Sequence, residues 1–284
     1  MSLSERYLNA LRIDREASHL RQVHELIGAH QRRFTFNNID ILLEPERLLN
    51  LEPEYLFQKI VVEDRGGYCF EHNRLFYAVL RDLGLKVDAR LARVLYGKEA
   101  DVPRTHRVTI LRDARAEYLV DVGFGPHTPA GLVPLPGAAG TIPPDIETRG
   151  ASVRESQDGL LRLTIPKDGE DFTLYSFDRC LYQESDFISA NFYTNRHPDS
   201  KFVNHLVVSR FTQNGVEYLR DLRYSQIKGD GSREDFPLKS ESDFAGLLQK
   251  KFRPGLSPTE CRKLYEFCKV RERTKTDEKQ SGDA

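Results

Sequence analysis

The run Arg65-Gly66-Gly67-Tyr68-Cys69-Phe70-Glu71-His72-Asn73 joins a polar turn to a helix at a cysteine. Gly66 and Gly67 open backbone angles closed to other residues, so the chain can turn sharply before the helix starts. Cys69 falls in the first helical turn, where unpaired N–H groups and the positive end of the helix dipole favour a thiolate. A free thiol of pKa ~8.5 is only ~3% ionised at pH 7, so a nucleophile needs that help and an adjacent imidazolium as well. The competing reading is a small buried hydrophobe, the usual fate of a lone cysteine on a partly apolar helix. The flanks, Arg65, the glycine pair, Glu71, His72 and Asn73, are not the Leu, Val or Ala expected around a structural thiol. The residues alone leave both readings standing.

Two strand-like runs supply partners. Arg107 to Arg112 and Tyr118 to Val122 flank the hairpin loop Asp113-Ala-Arg-Ala-Glu117; His106 leads into the first and Asp121 lies near the end of the second. Antiparallel pairing about that loop sets Val108 opposite Val122, with His106 about one pair beyond and Asp121 diagonal to it. A carboxylate can then hold the imidazole by its Nδ1–H while Nε2 faces a thiol, the orienter, base and nucleophile of a Cys-His-Asp site. The alternative is a strand-end histidine beside a turn aspartate, with no cysteine near.

The elements that would position these groups follow from periodicity. Ser2 and Glu5 have capping-box spacing before a helix carrying Tyr7, Leu8 and Leu11. A second helix after Ser18 turns Leu20, Val23, Leu26 and Ile27 inward, and His24 and His30 read as solvated or satisfied side chains. Phe34 to Leu43 reads as extended or irregular; Pro53 opens a helix through Val62. In the Cys69 helix, Asn73, Phe76, Tyr77, Leu80 and Leu83 share a face, and Gly84 offers a stop. Residues 1–86 thus read as a helical bundle. The period then changes: Val87 to Tyr96 alternates as a half-buried strand, and Leu160 to Ile165 and Phe172 to Phe177 are further strands. A loop with Pro126, Pro129, Pro134, Pro136, Pro143 and Pro144 is too rigid and donor-poor for regular structure. Strands at Leu206 to Phe211, Val216 to Leu222 and Tyr224 to Lys228 precede two helices, the last opened by Ser257-Pro-Thr-Glu260 and striped with Cys261, Leu264, Tyr265 and Cys268 as core. Arg271 to Ala284 is polar and reads as a mobile tail.

Composition excludes several classes. The 284 residues fit about two domains by the usual size prior. A net charge of −1, with 30% charged residues of both signs, gives no support to a nucleic-acid surface. No apolar run approaches the ~18 residues of a membrane span, and Met-Ser-Leu-Ser-Glu-Arg lacks a signal peptide's apolar core. A cytosolic (cytoplasmic) protein is expected. Its four cysteines, Cys69, Cys180, Cys261 and Cys268, are scattered, so neither a disulfide framework nor a zinc site is expected, and the metal expectation is none.

Four blocks together make the sequence similar to the arylamine N-acetyltransferase family. They are Arg65 to Asn73, Thr105-His106, Asp121-Val-Gly-Phe-Gly125, and the run Asn191-Phe-Tyr-Thr-Asn-Arg-His-Pro-Asp-Ser-Lys-Phe202. They occur in family order and spacing, and the likeness covers about residues 5 to 255. The resemblance implies an α+β fold: an N-terminal helical bundle (1–86), a central β-barrel (87–185), then an interdomain segment and C-terminal α/β lid (186–270), with the tail at 271–284 and a cysteine-protease-like Cys-His-Asp core. It implies Cys69 as nucleophile, His106 as base and Asp121 as orienter. It also implies acetyl-CoA as acetyl donor and an aromatic amine, hydrazine or N-hydroxyarylamine as acceptor, by a ping-pong route through an acetyl-cysteine. Phe36, Thr105, Phe124 and Phe202 fall in the motifs of the acceptor pocket, and Gly123 and Gly125 in a turn near the CoA pyrophosphate. Gly125 and the backbone near Phe70 are candidate oxyanion donors.

Two departures from the family's pattern stand out. Phe36-Asn37-Asn38 replaces the usual Phe-Glu-Asn, so a carboxylate that could pair with Arg65 is missing, and Glu71 is the nearby acid that could substitute. His72 occupies a position more often apolar, where it either perturbs Cys69 or faces solvent. Other readings of the same site are an amide synthase, a thioester hydrolase, or a non-enzymatic module with a redox thiol.

Overall fold

Ser2 and Glu5 cap the first helix reciprocally, Ser2 N to Glu5 Oε2 at 2.8 Å and Glu5 N to Ser2 Oγ at 3.3 Å, and this starts α1 (Leu3–Leu11) as the spacing predicts. The computed structural model describes residues 1–14, 19–97, 101–114, 116–137 and 148–281, with side chains to residue 272. Ser18, Arg115, Pro143, Pro144 and the last three residues of the expected tail lie outside the described residues. After α1 come α2 (His19–Arg33), β1 (Phe36–Asn37), α3 (Ile39–Leu43), α4 (Pro53–Leu56), π-helical turns (Phe57–Val62) and α5 (Cys69–Asp82). Val23, Leu26 and Ile27 of α2 and Phe76, Val79 and Leu80 of α5 are almost wholly buried against Tyr7 and Leu8. Each such apolar side chain contributes about 1.5–3 kcal/mol of burial, so the helix that carries Cys69 is firmly seated.

A seven-stranded sheet follows in the order β5-β4-β3-β2-β8-β7-β6. Its members are β2 (Lys86–Val94), β3 (Arg104–Arg112), β4 (Glu117–Val120), β5 (Val133–Pro134), β6 (Ser152–Glu155), β7 (Leu161–Lys167) and β8 (Glu170–Phe177). Edge strands β5 and β6 approach each other, so the sheet is a nearly closed barrel. Val108, Ile110, Leu119, Leu163, Leu174 and Tyr175 belong to one core inside it, whereas Val87, Leu111, Tyr118 and Val120 join the core of the helical bundle. Helices on the outer face explain why β2 is not the half-buried strand its alternation predicts: Ala89, Arg90, Leu91 and Ala92 are all buried.

The hairpin register differs from the expectation by one residue. Thr109 pairs with Val120 and Ile110 with Leu119, which sets Val108 in line with Asp121 rather than Val122. A one-residue slip exchanges the faces of a strand. In the observed register Asp121 shares the face of His106 and Val108, as a diagonal neighbour of the histidine must.

The segment read as a linker from Glu184 to Phe202 is helical, α6 (Glu184–Arg196) and α7 (Lys201–Asn204). A second sheet, ordered β1-β9-β10-β11-β12, uses β9 (Val207–Thr212), β10 (Gly215–Arg220), β11 (Arg223–Lys228) and β12 (Arg233–Pro237). Strand β12 was not foreseen; of the run read as extended or irregular, Phe36–Asn37 is strand β1, which becomes the edge of this sheet, and Ile39–Leu43 is helix instead. Helix α8 (Glu241–Leu247), π-helical turns (Leu248–Phe252) and α9 (Pro258–Ser281) pack on it. Ser257 and Glu260 cap α9, and Cys261, Leu264, Tyr265 and Cys268 are core, as their stripe predicts. The expected tail from Arg271 continues α9 as helix to Ser281, because that run is rich in Arg, Lys and Glu and has no Gly or Pro before residue 282. Among the described residues no helix is long and apolar enough to cross a membrane.

Candidate active site

The turn before Cys69 is built by backbone pairing. Asn37 N donates to Gly67 O at 2.6 Å and Gly67 N to Thr35 O at 3.3 Å, so β1 is paired with the turn. Gly66 has φ +71°, and a Cβ there would lie 2.2 Å from the Thr35 carbonyl oxygen, so only glycine fits. Helix α5 then starts at Cys69, with Glu71 Oε2 accepting from Tyr68 N at 3.1 Å.

Charge is gathered under this turn, with partners other than those expected. Glu71 does not replace the missing carboxylate at Asn37: it bonds Lys59 Nζ at 2.5 Å, and Lys59 also reaches Asp40 at 2.6 Å. Arg65 pairs instead with Asp40 and with Glu260 of α9, each at 2.9 Å, and donates to the Pro254 carbonyl. Burial alone would lower the Lys59 pKa, but the two carboxylates hold its ammonium above the ordinary lysine range. Asn37 keeps a local job, its Nδ2 donating to Arg65 O at 3.0 Å.

His106 and Asp121 meet as the strands predict. His106 Nε2 lies 2.7 Å from Asp121 Oδ2, and both residues are at most 1% exposed. The nitrogens are exchanged relative to the expectation: Nε2, not Nδ1, holds the carboxylate, which leaves Nδ1 as the ring's other nitrogen. A β-bulge lies beside the pair. His106 pairs with Ala92 and Arg104 with Arg93, so Thr105 is an extra residue on β3. The carbonyl of Thr105 faces the site, accepting from Cys69 Sγ at 3.7 Å, and this contact brings the sulfur beside the residue before His106.

Two residues that sequence reasoning did not assign complete the carboxylate's shell. Tyr175 OH donates to Asp121 Oδ2 at 2.9 Å, and Asn73 Nδ2 and Gly123 N donate to Oδ1 at 2.9 Å each. Burial would raise the Asp121 pKa, but the His106 charge and these hydrogen bonds outweigh it and hold the carboxyl below the usual aspartate value. Asn73 had a signal, an amide on an otherwise apolar helix face; Tyr175 had none. Asn73 Oδ1 also accepts from Val122 N at 3.0 Å, tying α5 to the turn after Asp121.

The thiol itself departs from expectation. Burial pushes the Cys69 pKa well up and the Asp121 charge pushes it further, against the Phe70 N–H that favours the thiolate. The helix terminus is present, but desolvation opposes it and outweighs it.

Aromatic rings surround these groups. Phe124 and Tyr175 each lie 5.0 Å from the His106 ring. Phe36 and Phe202 are neighbours at 6.1 Å, and Tyr68 meets Phe202 edge-on at 5.5 Å. The Gly123 to Gly125 turn lies over Phe36, since a Cβ on Gly125 (φ +70°) would sit 3.5 Å from that ring. The expected phosphate cradle is partly closed: Gly123 N is used by Asp121 and Phe124 N by Thr128 Oγ1 at 2.8 Å. Cations lie nearby instead. Tyr96 OH bonds His127 at 2.8 Å, Lys201 lies 5.9 Å from the Tyr96 ring, and the charges of Arg220 and Arg233 reach Tyr96.

His72 is neither solvated nor turned to Cys69; it is 1% exposed and bonded to His30. All four cysteines are free, and among the described residues no cluster of three or more His, Cys, Asp or Glu could hold a metal.

A helical bundle that offers a cysteine to a barrel-borne histidine and aspartate defines a cysteine-protease-like thiol site. The pattern of the N-acetyltransferase family matches residues 19–260. The chain is 32% identical over 230 residues to an arylamine N-acetyltransferase of Escherichia coli, covering 80% of this chain and 79% of that one. It is 30% identical over 231 residues to a Salmonella typhimurium protein named arylamine N-acetyltransferase / N-hydroxyarylamine O-acetyltransferase, covering 81% and 80%. The structure of Mycobacterium marinum arylamine N-acetyltransferase in complex with CoA superposes with a TM-score of 0.81 at 26% identity, over 92% of this chain and 98% of that one. The chain belongs to the arylamine N-acetyltransferase family, a family of acyltransferases.

Proposed function

We propose that this protein moves an acetyl group from acetyl-CoA to Cys69 and from there to an arylamine, an arylhydrazine or the oxygen of an N-hydroxyarylamine, acting in the cytoplasm. The observation that carries the reading is the buried 2.7 Å bond of His106 to Asp121, with the Cys69 sulfur against the carbonyl of the residue before His106. His106 takes the Cys69 proton as the sulfur attacks the thioester carbonyl carbon, and the imidazolium so formed faces the Asp121 carboxylate. CoA leaves as a thiolate of similar basicity and receives that proton, so the first half-reaction is nearly balanced. In the second, a neutral arylamine attacks the carbonyl carbon of the acetyl-cysteine; its nitrogen gives up a proton to His106, the carbon–sulfur bond breaks, and that proton returns to the Cys69 sulfur.

The rings of Phe36, Phe124 and Phe202 suit a planar aryl group. The cations around Tyr96 suit the phosphates of CoA, the molecule bound in the M. marinum relative. Gly125 and Phe70 N–H are the proposed oxyanion donors. No step in this sequence calls for a metal.

Mass spectrometry after mixing with acetyl-CoA tests the reading. An acetyl group on Cys69, stable until aniline is added, is the expected result. Discharge equally fast without amine would make the protein a hydrolase, and no acetylation would leave only a thiol-bearing module. Cys69→Ser is expected to abolish turnover with the fold intact.

A further inference from the structure

Three buried side chains that this chemistry does not use form one hydrogen-bonded row. Tyr7 OH bonds His30 Nδ1, His30 Nε2 lies 2.7 Å from His72 Nδ1, and His72 Nε2 lies 3.2 Å from the Thr35 carbonyl oxygen. None is more than 1% exposed. The last acceptor settles every proton in the row. A carbonyl only accepts, so His72 Nε2 carries a hydrogen; with both rings neutral, His72 Nδ1 accepts from His30 Nε2–H and His30 Nδ1 from the phenol. Burial favours those neutral forms. It lowers the His72 pKa to about 4 with help from the Lys59 charge, against the Thr35 and Gly67 carbonyls and the more distant Asp121, and it lowers that of His30 together with His72.

His72 touches three parts of the site. It lies one helical turn after Cys69. Gly123, two residues beyond Asp121, packs so closely that an added Cβ would sit 3.2 Å from both His72 Cβ and Cys69 Cα. The imidazole is also nearly parallel to the Phe36 ring, 16° between planes with centroids 6.3 Å apart. The carbonyl it holds, Thr35 O, is the one that accepts from Gly67 N in the nucleophile turn.

We propose that His72, held in turn by His30 and Tyr7, is a positioning residue for the acceptor: it fixes the Thr35–Phe36 segment, and with it the Phe36 ring, against the turn that carries Cys69. The inference rests on the acetyl-transfer reading above and deepens it. An aryl acceptor brings its nitrogen to the acetyl carbon with its ring on Phe36, whereas the acetyl-thioester end of CoA carries no ring to lie there. The row therefore acts on the second half-reaction.

Two substitutions measured in both half-reactions test this. His72→Leu keeps the volume and loses both bonds; His72→Gln retains a donor where Nε2–H stood. The rate of Cys69 acetylation by acetyl-CoA without amine is expected to stay within about twofold in both. The KM for aniline is expected to rise about fivefold to tenfold in His72→Leu, the effect of losing the bond that holds the Thr35 carbonyl, and to return to within about twofold of wild type in His72→Gln. Tyr7→Phe, a change small enough to spare the fold, is expected to raise the same KM about twofold. Equal losses in the two half-reactions, no KM change in Tyr7→Phe, or a Gln variant no better than Leu would overturn the proposal. Failure of the wild-type protein to acetylate Cys69 would overturn the acetyl-transfer reading itself, and the positioning role with it.

Discussion

Two buried histidines serve the Cys69 turn and are held in opposite ways. His106 puts Nε2 on a carboxylate that also accepts from Tyr175, Asn73 and Gly123. His72 bonds backbone carbonyls and a second imidazole, with Lys59 as a neighbouring positive charge. Residue type and burial are the same in both places. The partners differ in charge, and a carboxylate, unlike a carbonyl, stabilises the positive charge that the proposed mechanism places on His106.

The most severe way to break this contrast is to give His106 a neutral partner too. Asp121→Asn keeps the shape and removes the anion, and kcat/KM for aniline acetylation is expected to fall by roughly 10³–10⁴-fold with unchanged circular dichroism. An activity within tenfold of wild type would mean that the carboxylate does not set the role of His106.

Acid sharpens the comparison from the other side. The His72 pKa is lowered to about 4, below the ~6.5 of an unfolded histidine, so the unfolded chain binds the extra proton in that window. Its stabilising contribution is complete above pH ~6.5 and is lost as pH falls toward 4, by about 3 kcal/mol in all. Urea midpoints of wild type and His72→Gln between pH 7 and 4 are expected to converge as the solution is acidified. Parallel curves would contradict a neutral, buried His72.

The smallest effect separates two ion pairs in one network. Glu260 is about one-third exposed, and Glu260→Gln is expected to cost under ~1 kcal/mol of unfolding free energy. Lys59→Met, which leaves Glu71 buried without its cation, is expected to cost about 3–5 kcal/mol. Similar losses would show that burial does not rank these pairs.

What could be read from the chain was what neighbours decide. The glycine turn, the start of α5 at Cys69, the capping pairs Ser2 with Glu5 and Ser257 with Glu260, and the stripe of α9 all depend on residues within a few positions of each other. What escaped depends on distant partners. Arg65 finds Glu260 across 195 positions, and His72 finds His30 across 42. The direction of the Cys69 pKa escaped for a related reason, since the helix terminus is local but the burial that outweighs it comes from the whole fold. Likewise the bulge at Thr105 depends on pairing with β2, and the nitrogen that His106 turns toward Asp121 on how the two strands and the ring pack together.

The central claim is that Cys69, His106 and Asp121 act as one unit. Single-turnover acetylation of Cys69 by acetyl-CoA, compared among wild type, His106→Gln, Asp121→Asn and the double variant, tests it most directly. The account predicts that the double variant is about as slow as the slower single variant, because a carboxylate with no imidazole to orient has nothing left to contribute. A double variant slowed by the product of the two single losses would show two independent contributions and contradict it.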